Sequence, residues 1–199
     1  MELQGQLGSV AAQQAAWEAW RARVQDLRRD YPLVTPGREV LCSPYGIMQA
    51  LGQHIPEDAI ITTDVGQHQM WAAQSLPIHR ADRWLTSGGL GTMGFGLPAA
   101  IGAALACPQS PVFCITGDGS LLMNIQEFAT LVELEADVKI ILLDNSGLGL
   151  VRQQQELFYQ KRLVASQFTH RTDFVAIAEV LGGVIVPGAI GLVFVSIFI

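Results

Sequence analysis

Positive charge is scarce in this chain. Twelve Lys and Arg face 18 Asp and Glu over 199 residues, giving a formal net charge of −6 and an isoelectric point near 5.1. The basic residues are scattered and build no tract, which argues against a nucleic-acid surface. Cysteine is nearly absent. Cys42, Cys107 and Cys114 are odd in number and lack metal-ligand spacing, so they read as reduced core thiols of a cytosolic protein. The first residues, MELQGQLGSV, lack the basic region and apolar block of a signal peptide. There is no internal repeat and no low-complexity segment. Charge is missing altogether from Val180 to Ile199, VLGGVIVPGAIGLVFVSIFI. That run is long and apolar enough for a membrane span, but Gly182, Gly183, Pro187, Gly188 and Gly191 weaken it as a helix. The expectation is a truncated or frame-shifted continuation rather than an anchor.

Half the residues are hydrophobic, enough for a substantial core. The most informative stretch runs from Gly117 to Asn145, GDGSLLMNIQEFATLVELEADVKIILLDN. An apolar run, Val112 to Thr116, ends in Gly117-Asp118-Gly119. An amphipathic stretch follows, then a second apolar run, Val138 to Leu143, ending in Asp144-Asn145. The order is strand, turn, helix, strand, which predicts two parallel strands in one sheet. Asp118 and Asn145, 27 residues apart, would then sit at strand carboxyl ends, where open α/β sheets bind ligands. One carboxylate, one amide oxygen and a glycine-lined turn suit a hard divalent cation that bridges phosphate oxygens. The bare tripeptide would be no more than a tight turn.

The spacing resembles the metal–diphosphate motif of thiamine-diphosphate enzymes. Three further segments narrow the resemblance: TTDVGQHQMWAAQ (Thr62 to Gln74), WLTSGGLGTMGFGLPAAIGAALA (Trp84 to Ala106) and VRQQQELFY (Val151 to Tyr159). Together they resemble the large catalytic subunit of acetohydroxyacid synthase, also called acetolactate synthase. The likeness runs from about Pro36 to Gly183 and covers the carboxyl-terminal third of that family's usual architecture.

Helical periodicity marks Ala11 to Arg29, with Trp17, Trp20, Val24 and Leu27 at spacings of three and four. Further helices are expected at Pro44 to His54, capped by Ser43, at Gly66 to Leu76, from near Pro98, after the Gly147 loop to Tyr159, and at Thr172 to Leu181. Ala59 to Thr63 reads as a short strand. The predicted fold class is α/β, a mainly parallel sheet flanked by helices and apparently truncated. Residues 1–35 are expected to be the end of a preceding domain plus linker, 36–183 the thiamine-diphosphate-binding domain, and 184–199 an aberrant apolar tail.

The resemblance implies roles. Asp118, the Asn145 side chain and the Gly147 carbonyl would ligate Mg²⁺. Gln67 and His68 would contact the diphosphate at the start of a helix, where free N–H groups attract anions. Gly117, Gly119 and Ser120 are candidates for the same job. Met93 would lie under thiamine and hold it bent, and the Gly91 carbonyl would accept from its aminopyrimidine. Leu150, Val151 and Gln154 would lie near the substrate. Gln154 stands where many relatives carry a tryptophan that favours 2-ketobutyrate, so weak discrimination between pyruvate and 2-ketobutyrate is expected. Asp144 departs from the Asn-Asn of many relatives. No catalytic residue is assigned, because the activating glutamate belongs to a domain outside this chain. FAD is implied by the family alone.

The expected activity is thiamine-dependent decarboxylation of pyruvate and its carboligation to a second 2-oxo acid. The product would be 2-acetolactate or 2-aceto-2-hydroxybutyrate, in branched-chain amino acid biosynthesis. A cytoplasmic homodimer or homotetramer is expected, with a small regulatory subunit as a further partner, and the isolated chain is expected to be inactive. The alternatives are another thiamine carboligase or decarboxylase, a non-catalytic cofactor-binding remnant, and a membrane-tethered version using Val180 to Ile199.

Overall fold

The computed structural model describes residues 10–40, 43–181 and 193–198, the last by backbone alone. The chain divides into two compact units, Met1–Pro36 and Gly37–Ile199. Among its described residues the first contains one long helix, α1 (Val10–Asp30). Its last turn carries Arg28 and Arg29, where cations oppose the negative end of the helix dipole.

The second unit is a parallel sheet between two layers of helices. It opens with α2 (Pro44–His54), whose Ser43 cap accepts from the Gly46 N–H at 3.0 Å, with proline at the start of the first turn. β1 (Ile60–Thr63), α3 (Gln67–Ser75) and β2 (Trp84–Thr86) follow. Next come α4 (Gly96–Ala106), β3 (Val112–Gly117), α5 (Asp118–Met123), α6 (Glu127–Glu133) and β4 (Val138–Asp144). α7 (Gly149–Phe158), α8 (Phe174–Val180) and β5 (Val193–Phe198) complete the unit. The strand order is β2-β1-β3-β4-β5, and every pairing is parallel.

Burial explains why the strands are nearly continuous apolar runs. β1 is buried at every position, and β3 and β4 at all but Phe113 and Lys139. A parallel sheet covered on both faces demands this. Alternation distributes the side chains to opposite faces. Ile60, Cys114, Ile140 and Leu142 pack with Leu97, Ala100 and Ile101 of α4, Phe128 of α6, and Phe174 and Ala178 of α8. Ile61, Ile115, Ile141 and Leu143 pack with Met48 of α2 and with Ala72 and Leu76, from and just after α3. Cys114 is fully buried, Cys107 half-buried, and both are free thiols; Cys42 lies outside the described residues.

Two details differ from the expectation. The single helix expected between β3 and β4 is broken into α5 and α6 at residues 124–126. Asn124 leaves helical geometry (φ −134°, ψ 34°), and its side-chain amide donates to the Gly94 carbonyl at 2.6 Å. The glycine-rich segment also begins with a strand, Trp84–Thr86, parallel to β1. Of the apolar tail, residues 182–192 and 199, with Gly182, Gly183, Pro187, Gly188 and Gly191, lie outside the described residues. Val193–Phe198 pairs with β4, from Lys139↔Val193 to Asp144↔Phe198. Among the described residues, no helix is long and apolar enough to cross a membrane.

Candidate functional site

From β1 the chain crosses to β2 on one side, then returns past β1 to β3 on the other, so the order reverses between β1 and β3. Ligands bind in α/β sheets outside the strand carboxyl ends at such a switch point. Here three strand ends deliver polar residues to one place. Asp64 to His68 follow β1, Asp118 to Ser120 follow β3, and Asn145 to Gly149 follow β4.

These segments line a cavity of about 220 Å³ together with Trp71, Gly91, Met93, Leu150 and Val151. Twelve of the thirteen residues singled out from sequence therefore meet at one cavity: Gln67, His68, Gly91, Met93, Gly117, Asp118, Gly119, Ser120, Asn145, Gly147, Leu150 and Val151. Gln154 does not line it; its side chain is exposed on α7.

Asp118 sits at the start of α5 with only 3% of its surface exposed. One carboxylate oxygen, Oδ1, accepts from the Gly119 N–H at 2.9 Å, and the other, Oδ2, from the Gly147 N–H at 2.8 Å. Burial pushes its carboxyl up to about 6. The two N–H bonds oppose that rise, and the neighbouring negative charge of Asp144 adds to it. Asp144 is equally buried. Its Oδ1 accepts from the Ser146 N–H at 2.9 Å. Its Oδ2 has no hydrogen-bond donor, and the Arg171 Nε is 4.0 Å away. Two buried carboxylates side by side repel one another, which favours the protonated form of one of them.

The loop after β4 is held from several directions. Ser146 adopts a left-handed conformation (φ 56°). Gly147 bridges to Gln167, the Leu148 N–H donates to the Ser166 carbonyl at 2.9 Å, and the Phe168 N–H donates to the Ser146 carbonyl at 2.9 Å. A Cβ on Gly147 would strike the Ser166 carbonyl oxygen, and one on Gly149 would strike the Gln67 and Asn145 side chains. The Asn145 amide nitrogen donates to Gln67 Oε1 at 3.3 Å, and Gln67 Nε2 donates to Gln153 Oε1 at 3.0 Å. That chain orients the amide of Asn145 and leaves its Oδ1 buried without a partner.

His68 is 6% exposed. Burial lowers its imidazole to about 4, partly opposed by a hydrogen bond to the Asp64 backbone carbonyl. Its Nε2 is buried and unpartnered. Gly66 and Gly117 flank the ring so closely that a Cβ on either would lie 2.7 Å from it. Ser120 Oγ donates to the Val65 carbonyl at 2.9 Å, tying the β3 turn to the β1 turn.

Sequence reasoning passed over three contributors. Asp64, 1% exposed, accepts from the Val65 and Gly94 N–H groups at 2.9 and 2.8 Å and from the Gly96 N–H at 3.2 Å. Burial raises its carboxyl, and those three bonds pull it back. Asn124 holds the Gly94 carbonyl, and Gln153 orients Gln67. Asp64 at a strand end was the one visible signal. Nothing local marks Asn124 or Gln153.

Unpartnered polar atoms that are buried are costly unless something satisfies them. Asn145 Oδ1 and His68 Nε2 are two such atoms in one cavity. Oxygen from a carboxylate and an amide suits a hard cation, while an imidazole and the N–H groups at helix starts suit an anion. Among the described residues no three His, Cys, Asp or Glu side chains converge to hold a metal unaided, so a cation here would take further oxygens from a ligand. The arrangement fits a phosphorylated cofactor bound through a divalent cation.

The family model for the C-terminal TPP-binding domain of thiamine pyrophosphate enzymes matches residues 64–190. The chain is 55% identical to the acetolactate synthase isozyme 1 large subunit of Escherichia coli over 82% of its own length and 29% of that protein. It is 43% identical to the isozyme 2 large subunit of the same organism, over 90% of this chain and 33% of that protein. It is 46% identical to the acetolactate synthase large subunit of Pyropia yezoensis, over 82% and 28%. The chain thus spans about a third or less of these relatives.

Proposed function

The chain belongs to the thiamine pyrophosphate enzymes, as their C-terminal cofactor-binding domain, and on this premise we propose that it is the thiamine-diphosphate half-site of an acetolactate synthase large subunit. The observation that carries this reading is the convergence of Gln67, His68, Met93, Asp118, Asn145 and Gly147 on one cavity at the sheet's switch point.

In this reading Asp118, the Asn145 oxygen and the Gly147 carbonyl hold Mg²⁺. Gln67, His68 and the amides of Gly119 and Ser120 would hold the diphosphate beside it. Gly117 lies against the His68 ring and lets the chain approach closely there. Met93 would support the thiamine rings, and the Gly91 carbonyl would orient the aminopyrimidine. Bound thiamine diphosphate supplies the electron sink that lets pyruvate lose CO₂ and its two-carbon remainder join a second 2-oxo acid. The chain's own work is to bind, orient and shield. The buried floor formed by Gly117, Asp118, Ser120 and Leu143 keeps water from the cation side. Leu150 and Val151, at the start of α7, line the opening where a 2-oxo acid would enter.

Size supports the half-site reading. A cavity of about 220 Å³ is smaller than the roughly 300–1,000 Å³ of complete small-molecule sites. A second surface would complete it, which fits a homodimer or homotetramer in which a neighbour supplies the activating glutamate. Residues 1–35 are then the end of a preceding domain, and a small regulatory subunit and cytoplasmic location go with the same assignment. FAD belongs to the family reading only; no described residue is assigned to it, and no step is drawn from it.

Titration calorimetry with thiamine diphosphate and Mg²⁺ tests the site. Saturable binding that disappears with chelator supports it, and no binding at millimolar cofactor overturns it. Product analysis on pyruvate in the assembled enzyme tests the activity: acetolactate supports the assignment, whereas acetaldehyde or acetyl phosphate points to another thiamine enzyme.

A further inference from the structure

The glycine-rich segment that carries Met93 would be expected to wander, since Gly91 and Gly94 take positive φ values of 62° and 87° and Gly91 is exposed. Yet Gly94, the residue next to Met93, is buried and held at both ends of its own backbone. Its N–H donates to Asp64 Oδ1 at 2.8 Å, and its carbonyl accepts from Asn124 Nδ2 at 2.6 Å. The two grips come from different parts of the fold. Asp64 follows β1, and Asn124 ends α5, which itself begins at the end of β3.

Asp64 carries more than one bond. Its second oxygen accepts from the Gly96 N–H at 3.2 Å, and the Thr62 hydroxyl donates to the Gly96 carbonyl at 3.0 Å. Gly96 approaches so closely that a Cβ there would lie 2.9 Å from the Asp64 nitrogen. A Cβ on Gly94 would lie 2.8 Å from Asn124 Nδ2 and would displace the amide that holds it. The segment is glycine at these positions because two side chains need access to its backbone. A carboxylate accepting several N–H bonds in a buried setting makes charge-assisted bonds, stronger than neutral ones. The α5–α6 break acquires a purpose in the same picture, because it turns Asn124 towards Gly94.

We propose that Asp64 and Asn124 are a positioning pair that fixes Met93 by gripping Gly94 through the peptides on its two sides. The pair acts on the thiamine end of the site and leaves the diphosphate end to Gln67, His68 and Asp118. The proposal rests on the reading of this cavity as a thiamine-diphosphate site.

The two ends can be separated by ligand. Thiamine diphosphate engages both, while inorganic diphosphate with Mg²⁺ engages one. Calorimetry on the full chain, Asp64→Asn and Asn124→Ala would measure both affinities. Asn offers an N–H₂ where Asp64 offers an oxygen, so one of the loop N–H groups loses its acceptor. The expected result is thiamine diphosphate binding at least tenfold weaker in each variant, with inorganic diphosphate affinity within twofold of the parent. Equal weakening of both ligands, or no weakening of either, overturns the proposal. If Asp64→Asn does not fold, Asn124→Ala carries the test, since that half-buried side chain lies outside the apolar core. If the parent chain binds inorganic diphosphate but gains nothing from the thiamine moiety, the positioning role falls and the phosphate site stands. If it binds neither, the site reading falls, and this proposal with it.

Discussion

The Gly147 N–H donates to Asp118 Oδ2 at 2.8 Å, although the two residues lie 29 apart and follow different strands. The bond couples the turn after β3 to the turn after β4. It also fixes the Ser146–Gly147 peptide, whose carbonyl accepts from the Phe168 N–H at 2.9 Å, while the Gly147 carbonyl belongs to the next peptide and accepts from the Gly149 N–H at 3.1 Å. Asp118 therefore has a structural duty before any ligand arrives, and its substitution has two consequences that differ in size.

Asp118→Asn should weaken Mg²⁺-dependent binding of thiamine diphosphate by a hundredfold or more, because a neutral amide replaces the one carboxylate in the ligand set. Metal-free stability should change by no more than ~1 kcal/mol, since the lost charge–N–H bonds are offset by relief of a buried charge beside Asp144. Calorimetry and urea unfolding in chelator measure the two. Unchanged cofactor affinity would sink the metal assignment.

Taken by itself, His68 should cost stability in mild acid. Its folded imidazole is lowered from 6.5 to about 4, so between those values the unfolded chain takes a proton that the folded chain does not. The stability it protects is present above pH 6.5 and lost as pH falls towards 4, on the order of 3 kcal/mol when complete. Asp118 opposes this, because a raised carboxyl binds protons more tightly in the folded chain as pH falls through 6. Comparing unfolding of the parent and His68→Asn from pH 7.5 to 4.5 isolates the histidine: the variant's stability should rise relative to the parent's as pH falls. Parallel curves would refute the assignment.

Gly147→Ala should destabilise by ~1–3 kcal/mol, the usual range for overpacking. The added carbon meets the Ser166 carbonyl, which is backbone and has little freedom to move. Mg²⁺ affinity should fall alongside, because the Gly147 loop must shift. Gly149→Ala should behave differently. It pushes on the Gln67 and Asn145 side chains, so ligand binding should suffer more than the unfolding midpoint. Equal effects on stability and binding in both variants would contradict this division.

Acceptor choice offers a fourth check, in the assembled enzyme supplied with pyruvate and 2-ketobutyrate together. The resemblance predicts weak discrimination with Gln154, and Gln154→Trp should shift products towards 2-aceto-2-hydroxybutyrate. Gln154 is exposed and lies off the cavity, so any such effect requires the surface that completes the site. A strong bias towards that product in the unaltered enzyme would refute the expectation.

Much of this was legible in the residues because the cues are local. Apolar runs ending in Gly-Asp-Gly and Asp-Asn announce strands followed by ligand-bearing turns. Ser43-Pro44 and Thr172-Asp173 are cap signals; Ser43 forms the first cap, and of the second pair it is Asp173 that accepts, from the Ala176 N–H at 3.0 Å. The α5–α6 break was not legible, since LLMNIQEF satisfies helical periodicity and the interruption comes from a contact with Gly94, 30 residues earlier. β2 was hidden for a related reason: three residues carry too little pattern, and the strand exists because β1 lies beside it.

By itself, then, the order of residues determined that a parallel sheet forms and which strand ends carry carboxylate, amide and imidazole, because periodicity and turn chemistry act within a few residues. Only the tertiary structure decided how those groups serve each other. Asp118 binds the Gly147 turn, Gln153 aligns Gln67, and Asp64 and Asn124 hold the peptide beside Met93. Each of these bonds joins residues 29 or more apart, and their partners are fixed by how strands stack and helices cross, which no local pattern encodes.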